Sequence, residues 1–363
     1  MSDAPPCPVA DDGPAYRAPA EATALDLVAL GRYLSGVGFA LDRDQPARQF
    51  ASGLANLNYL ISVDGRPVVL RRPPSGDLPP GAHDMAREHR VLSRLGAAFP
   101  LAPESLHLCA DRSILGVPFQ LIAYRHGMVI KGDDRTRLDK RPEACARLGQ
   151  ALVATMAALH AVDPARIGLE DFGKPAGFTR RQIAGWKGRG ERLAEGSTGL
   201  LVVETVAWLD RQTLVERAPV LLHCDLKIDN MILDPATLDP VAVVDWDMST
   251  RGDPLFDLAT TLSYWTEPGD PPVMHRMAQM PTAAPGFPLR AEAVAAYAAQ
   301  TGANVSDLPV YRVLAMLKLA VVFLQLHALY RNGATADARY AGFGELAHDL
   351  LLFTRDIIAG KAQ

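Results

Sequence analysis

Cysteine is scarce in this sequence, and what there is lies far apart. Cys7, Cys109, Cys145 and Cys224 supply neither a disulfide framework nor a closely spaced metal-binding pair, so they read as reduced, mostly buried side chains. An excess of positive charge is also missing: 37 basic residues stand against 41 acidic ones, a formal net charge of -4. Nucleic-acid binding calls for a basic face, which this balance argues against, while a cationic or neutral small molecule stays open as a partner. Long uncharged apolar runs are absent too. The most apolar stretch, Val310–Leu329, carries Arg312, Lys318, Gln325 and His327 and reads as a core helix rather than a membrane span. No apolar segment flanked by Lys or Arg opens the chain. The expectation is a cytoplasmic protein with no membrane partner, a monomer or homodimer.

What is present suffices for a large folded body. At 363 residues, 48% apolar and 21% charged, the chain can build one large domain or two lobes with separate cores. Residues 1 to about 20 hold Pro5, Pro6, Pro8, Pro14 and Pro19 with little apolar periodicity, which predicts a flexible tail.

The stretch from Leu221 to Asp257 concentrates the chemistry. His223-Cys224-Asp225-Leu226-Lys227-Ile228-Asp229-Asn230 precedes Val241–Val244 and Asp245-Trp246-Asp247, and then Gly252-Asp253-Pro254-Leu255-Phe256-Asp257. The apolar runs Leu221–Leu222 with Met231–Leu233, and Val241–Val244, flank Pro235, Asp239 and Pro240, which predicts a small β-hairpin on a core. Asp225, Asn230 and Asp245 fall near its strand ends. Burying carboxylates there without a cation or donor costs roughly several kcal/mol per group, a cost that a divalent cation resolves. One carboxylate and one amide oxygen, from Asp245 and Asn230, suit Mg2+. The matching chemistry is phosphoryl transfer from a nucleotide, which needs charge neutralisation and positioning more than covalent catalysis. Asp225 is then left to accept a proton from a hydroxyl. Four residues separate Asp225 from Asn230, the spacing of the protein-kinase catalytic loop.

On these residues the chain resembles the aminoglycoside phosphotransferase family of small-molecule kinases, and within it the branch encoded with, or fused to, acyl-CoA dehydrogenases. The resemblance implies an α+β, bilobal protein-kinase-like fold. A small lobe with an antiparallel sheet of five strands would span residues 21–124, and a mainly helical catalytic and substrate-binding lobe residues 125–363. It implies ATP and Mg2+ as cofactors, Asp225 as catalytic base, Asn230 and Asp245 as magnesium ligands, and Lys227 as support for the transition-state charge. His223 would orient the catalytic loop and Asp257 would bond its backbone.

Upstream, Phe50 to Val63 reads as strand, turn and strand, with a turn at Ser52 and Gly53 that lays backbone N–H groups on phosphate oxygens. Val68-Val69-Leu70-Arg71-Arg72 reads as the next strand. Kinases carry a lysine on the corresponding strand. Here Arg71 takes that place, keeping the charge and forking onto two oxygens without being interchangeable with lysine. A helix expected over Ala82–Leu95 offers Glu88 as its partner. By resemblance, the backbone of Ala123 and Arg125, at the link between lobes, hydrogen-bonds the adenine. Further helices are expected from Pro142 onward, over Phe178–Leu193, Gly199–Leu214, Arg290–Tyr297, Val310–Tyr330 and Phe343–Ile358. Another opens at Pro254 behind the N-cap Asp253. Tyr264 to Pro288, rich in Pro, Gly and acidic residues, predicts a mobile insertion over the substrate side.

The expected activity is transfer of the γ-phosphoryl group of ATP to a hydroxyl of a small molecule, either aminoglycoside-like or a metabolic hydroxyl compound such as a hydroxyacyl thioester. An aminoglycoside needs carboxylates around it, and Glu267 and Asp270 are few. Two other readings stand beside this one. A catalytically silent nucleotide-binding module is suggested by the missing lysine. A metal-dependent phosphoesterase uses the same carboxylates but leaves Arg71 and Glu88 without a role.

Overall fold

The computed structural model describes residues 14–51, 56–74, 84–335 and 337–362. The chain divides into two compact units. One joins Met1–Val129 to Asn230–Met248, and the other joins Ile130–Asp229 to Ser249–Gln363. The first unit therefore runs past residue 124, and the reason is local pairing. Met128 and Leu233 exchange two backbone hydrogen bonds, both 2.8 Å. Gly127 permits the approach: at φ +155°, a Cβ there would lie 2.5 Å from Ile232 Cγ2.

In the first unit, strands β1 (Arg48–Gln49), β2 (Leu57–Val63), β3 (Arg66–Arg72), β4 (Ser105–Cys109) and β5 (Phe119–Ala123), numbered along the chain, form one sheet in the order β1-β2-β3-β5-β4. Every pairing is antiparallel. β2 buries alternate residues, Tyr59, Ile61 and Val63, as a strand with one face on a core must. It turns into β3 through Asp64-Gly65, both at positive φ (50° and 70°), the two-residue geometry that matches strand twist. Leu30 and Leu34 of helix α1 (Leu27–Gly36) join Leu70, Phe119 and Leu121 in the core. Helix α2 (Met85–Leu95), capped by Asp84, buries Glu88, Val91, Leu92 and Leu95 and lies against β4 and β5. The short helix α3 (Arg112–Leu115) precedes β5.

The predicted hairpin is only partly the one observed. In the first unit β7 (Met231–Leu233) pairs with β8 (Pro240–Val243). Leu221–Leu222 belongs instead to β6 (Val220–Leu222) in the second unit, which pairs with β9 (Thr250–Gly252). Thr250-Arg251-Gly252 has no apolar alternation to announce a strand. The predicted tail also needs correcting where it is described. Residues 1–13 lie outside the described residues, but Tyr16 bridges Phe50 and Arg17 N–H donates to the Gln49 carbonyl at 2.9 Å. The Arg48 guanidinium sits 3.6 Å over the Tyr16 ring. One aromatic side chain thus pins this segment to the sheet edge.

The second unit is mainly helical: α4 (Pro142–His160), α5 (Phe178–Leu193), α6 (Gly196–Asp210), α7 (Pro254–Tyr264), α8 (Pro272–Met277), α9 (Arg290–Thr301), α10 (Leu308–Arg331) and α11 (Phe343–Ile358). Asp253 caps α7, its Oδ1 accepting from Leu255 N–H at 2.9 Å. Helix α10 packs against α11, α7 and α5. Among the described residues it is the one helix long and apolar enough to cross a membrane, at mean hydropathy 1.9, yet 61% of that window is buried within the protein. Tyr264–Pro288 is not a loose insertion. Trp265, Met274 and Met280 are buried, and Thr266 and Thr282 exchange hydrogen bonds of 2.8 and 2.9 Å. Its turn-forming residues are there, but its apolar ones anchor it.

Candidate active site

The first unit assembles a charge cluster around Arg71. Its position on β3 buries the side chain, and its Nε lies 2.8 Å from Glu88 Oε2 of α2, though not aligned as a hydrogen bond. Its Nη2 pairs with Asp245 Oδ1 and lies 3.8 Å from Asp247 Oδ2. Glu88 also accepts from Gln120 Nε2 at 2.5 Å and from the Trp246 backbone N–H at 3.2 Å. Ser105 Oγ donates to Gln120 Oε1 at 3.1 Å and meets His89 Nδ1 at 2.8 Å. A polar chain thus runs through α2, β4 and β5 to Arg71. Trp246 fixes the other side, its indole N–H donating to the Val243 carbonyl at 2.7 Å. Asp245 stands at φ +69°, a conformation that costs a non-glycine residue free energy and concentrates at functional sites.

One guanidinium here serves three carboxylates. Burial opposes the charge on Arg71, but Glu88, Asp245 and Asp247 outweigh it and raise its pKa. Burial pushes the Glu88 carboxyl above its ordinary value, only partly opposed by the shared Arg71. With all groups ionised, a surplus of negative charge remains. The Asp245 side chain is 36% exposed. Asn230 stands nearby, its carbonyl accepting from Val244 N–H at 2.9 Å. A carboxylate open to solvent, an amide oxygen and a negative surplus fit a hard divalent cation such as Mg2+. Asp247, which also accepts from Asn56 Nδ2 at 3.4 Å, went unnoticed in the sequence although it is the second acid of Asp-Trp-Asp.

The second unit holds the loop that carries Asp225, and helix α7 holds that loop with one polar stripe. Asp257 accepts the backbone N–H groups of His223 and Cys224 at 2.8 and 2.7 Å. Thr261 Oγ1 donates to the Leu226 carbonyl at 2.7 Å. Tyr264 donates its hydroxyl to Asp225 Oδ1 at 2.5 Å. These three residues stand at i, i+4 and i+7, one face of the helix. From α10, the buried Lys318 ammonium donates to the Cys224 carbonyl at 2.7 Å, and Cys224 itself is at φ +66°. Burial pushes Asp257 up, but His160, at 3.2 Å, and His223 outweigh it and hold its pKa below the ordinary value. Tyr264 is pushed well above its usual value by burial and then by Asp225, so it remains a donor. Lys227 lies 3.3 Å from Asp229, 3.5 Å from Gln279 Oε1 and 5.4 Å over the Tyr264 ring. Sequence reasoning missed Thr261, Tyr264 and Lys318. The signal was there for the first two, as polar residues at helical spacing in an apolar helix.

The remaining expected residues are placed less tellingly. Ser52 lies outside the described residues. The Ala123 N–H donates to the Glu104 carbonyl at 2.8 Å, so of its two backbone groups that donor is engaged within the fold. The Arg125 guanidinium turns back onto the carbonyls of Pro100 and Ala102, at 3.3 and 3.4 Å. Glu267 and Asp270 meet Arg290, at 3.1 and 2.6 Å.

An arginine–glutamate pair backed by an antiparallel sheet and an acidic strand end beside an asparagine in the first unit, and in the second an aspartate loop pinned by a buried carboxylate, are features of a phosphotransferase of kinase-like build. Residues 46–317 match the model of the APH phosphotransferase enzyme family, and the chain belongs to that family of small-molecule kinases. It is 30% identical over 315 residues to acyl-CoA dehydrogenase family member 10 from Mus musculus, a match covering 86% of this chain but 29% of that protein. The chain thus spans less than a third of that longer relative. Among solved structures, a provisional aminoglycoside phosphotransferase from Ralstonia eutropha JMP134 superposes with a TM-score of 0.76 at 24% identity, covering 94% of this chain and 100% of that one. A thermostable mutant of aminoglycoside phosphotransferase APH(4)-Ia, in ternary complex with AMP-PNP and hygromycin B, gives 0.60 at 17% identity over 92% and 99% of the two chains. The fold is the kinase-like fold of these enzymes.

Proposed function

We propose that this protein transfers the γ-phosphoryl group of ATP, in a Mg2+-dependent reaction, to a hydroxyl group of a small molecule. The observation that carries the reading is Arg71 shared among Glu88, Asp245 and Asp247, a set whose negative surplus suits a divalent cation. Asn230 and Asp245 hold Mg2+, which when bound neutralises phosphate charge. Arg71, held by Glu88 and through it by Gln120 and Trp246, presents its guanidinium to phosphate oxygens. The backbone of Ala123 and Arg125 completes the nucleotide contacts.

Asp225, oriented by Tyr264, takes the proton of the acceptor hydroxyl. The acceptor oxygen bonds to the γ-phosphorus as the bond to the β-phosphate oxygen breaks, and ADP leaves. Lys227 supports the charge on the group in transit. A module that only bound nucleotide would have no use for a carboxylate held by a buried phenol, which favours the enzyme over the silent reading. The acceptor is a metabolic hydroxyl compound, a class to which a hydroxyacyl thioester, suggested by the acyl-CoA dehydrogenase relative, also belongs. Polycationic aminoglycosides are disfavoured, because Glu267 and Asp270 are already engaged by Arg290. The reaction is assigned to the cytoplasm.

Calorimetric titration with AMP-PNP tests the nucleotide site. Affinity should rise when Mg2+ is added to the wild type and should not rise in Asp245→Ala. Equal Mg2+ dependence in both proteins would remove Asp245 from the site.

A further inference from the structure

Arg312, on α10, is a buried guanidinium without a partner. It is 9% exposed, and neither Nε nor Nη2 has a hydrogen-bond partner among the described residues. The other deeply buried guanidiniums of known pairing, Arg71 and Arg290, each carry two or more carboxylates. The charged groups that bear on Arg312 are Arg290, Asp270 and Glu267, and Arg290 already holds both acids. Its Nη1 and Nη2 reach Asp270 at 2.6 and 2.7 Å, and Nη2 reaches Glu267 at 3.1 Å. Burial and then repulsion from Arg290 lower the Arg312 pKa to about 10, which still leaves the group charged at neutral pH. A buried charge left unmet is costly to the fold, and such costs are retained where a ligand completes the site.

The elements around Arg312 also hold the Asp225 loop. Tyr264 bonds Asp225, and the same segment, three residues on, reaches Glu267 and the Arg290 pair. Fully extended, that step spans at most about 11 Å. Along α10, Arg312 precedes Lys318, the residue bonded to the Cys224 carbonyl, by about 9 Å of helix. Arg312 thus stands on a helix that also holds the Asp225 loop, and the charges it feels sit on the segment that continues from Tyr264 and on Arg290. The guanidinium fork matches the two oxygens of a carboxylate or phosphate.

We infer that Arg312 is an oxyanion receptor for the phosphoryl acceptor, which therefore carries a carboxylate or phosphate group besides its hydroxyl. The inference rests on the phosphotransferase reading for the identity of the ligand. Its test does not depend on turnover.

Ligand binding to the full chain without nucleotide is measured by calorimetry and thermal shift. The probes are inorganic phosphate, ω-hydroxycarboxylates of two to six carbons with their amides, and glycerol phosphate with glycerol. The wild type and Asp225→Asn should bind an oxyanion and ignore its neutral counterpart, with the carboxylate and phosphate arms naming the group preferred. Arg312→Gln should weaken that binding at least tenfold while its unliganded melting temperature holds or rises, since an unmet charge is removed. Arg312→Lys, which keeps the charge without the fork, should fall between them and stands in if the glutamine variant does not fold. No oxyanion response in the wild type, or an equal response in the Arg312 variants, overturns the inference. Oxyanion binding without phosphoryl transfer would count against the preceding proposal alone.

Discussion

The hydroxyl of Tyr264 donates to Oδ1 of Asp225 across 2.5 Å, from a side chain 6% exposed. The phenol's pKa is raised well above the ordinary value, by burial first and the Asp225 charge second, so the donor persists through the neutral and mildly alkaline range. A hydrogen bond to a charged group is worth about 1.5–3 kcal/mol, and each factor of ten in rate is about 1.4 kcal/mol. Tyr264→Phe should therefore lower kcat by about ten-fold or more, with KM for the nucleotide nearly unchanged. A kcat within twofold of wild type would remove Tyr264 from the positioning of Asp225.

Arg71 is the only cation paired with Glu88 among the described contacts, and Glu88 is 1% exposed. Arg71→Ala leaves a buried carboxylate with its cation gone, which costs about 3–5 kcal/mol in comparable buried pairs. Urea denaturation should register a loss of that order. Arg71→Lys keeps the charge but cannot fork onto Glu88 and Asp245 together, so it should lose less stability and still lose nucleotide affinity. Glu88→Gln should cost less than Arg71→Ala, because burial already pushes that carboxyl toward its neutral form. An Arg71→Ala protein as stable as wild type would mean the pair contributes nothing to the fold.

Asp257 gives the acid stability profile a definite sign. Its folded pKa lies below the ordinary value because His160 and His223 outweigh burial. A depressed carboxylate pKa contributes stability that is fully present above the unfolded value, about 3.9, and is lost as pH falls through the folded one. The stability gap between wild type and Asp257→Asn should be constant near neutral pH and narrow below about pH 4. A gap that widens on acidification would contradict the pairing.

How much of this was legible depended on whether chemistry and spacing coincided. Asp225, Asn230 and Asp245 were visible because one short stretch carries them in a spacing that few folds require. The Arg71–Glu88 pair followed from strand and helix order, and lies at 2.8 Å. The α10 core helix and the helices Phe178–Leu193 and Phe343–Ile358 followed from apolar periodicity. The β6–β9 pairing did not, because Thr250-Arg251-Gly252 looks like a loop until its partner is known. Tyr264–Pro288 was misjudged because its Pro and Gly content outweighed Trp265 and Met274. Arg312 looked like one of several polar interruptions in an apolar helix. Its isolation depends on Arg290 having taken both nearby acids, a long-range fact that no local pattern contains.

Release of ADP reads directly whether Asp225 drives phosphoryl transfer to a small-molecule hydroxyl. ATP and Mg2+ are supplied with a panel of hydroxyl compounds that includes hydroxyacyl thioesters, hydroxycarboxylates and aminoglycosides, and wild type is compared with Asp225→Asn. ADP formation should require an acceptor, be strongest for an anionic one, and fall by about 10³-fold or more in the variant while AMP-PNP binding is kept, in line with the loss of a positioned general base and its orientation. ADP formation at equal rates in wild type and Asp225→Asn would contradict that role of Asp225.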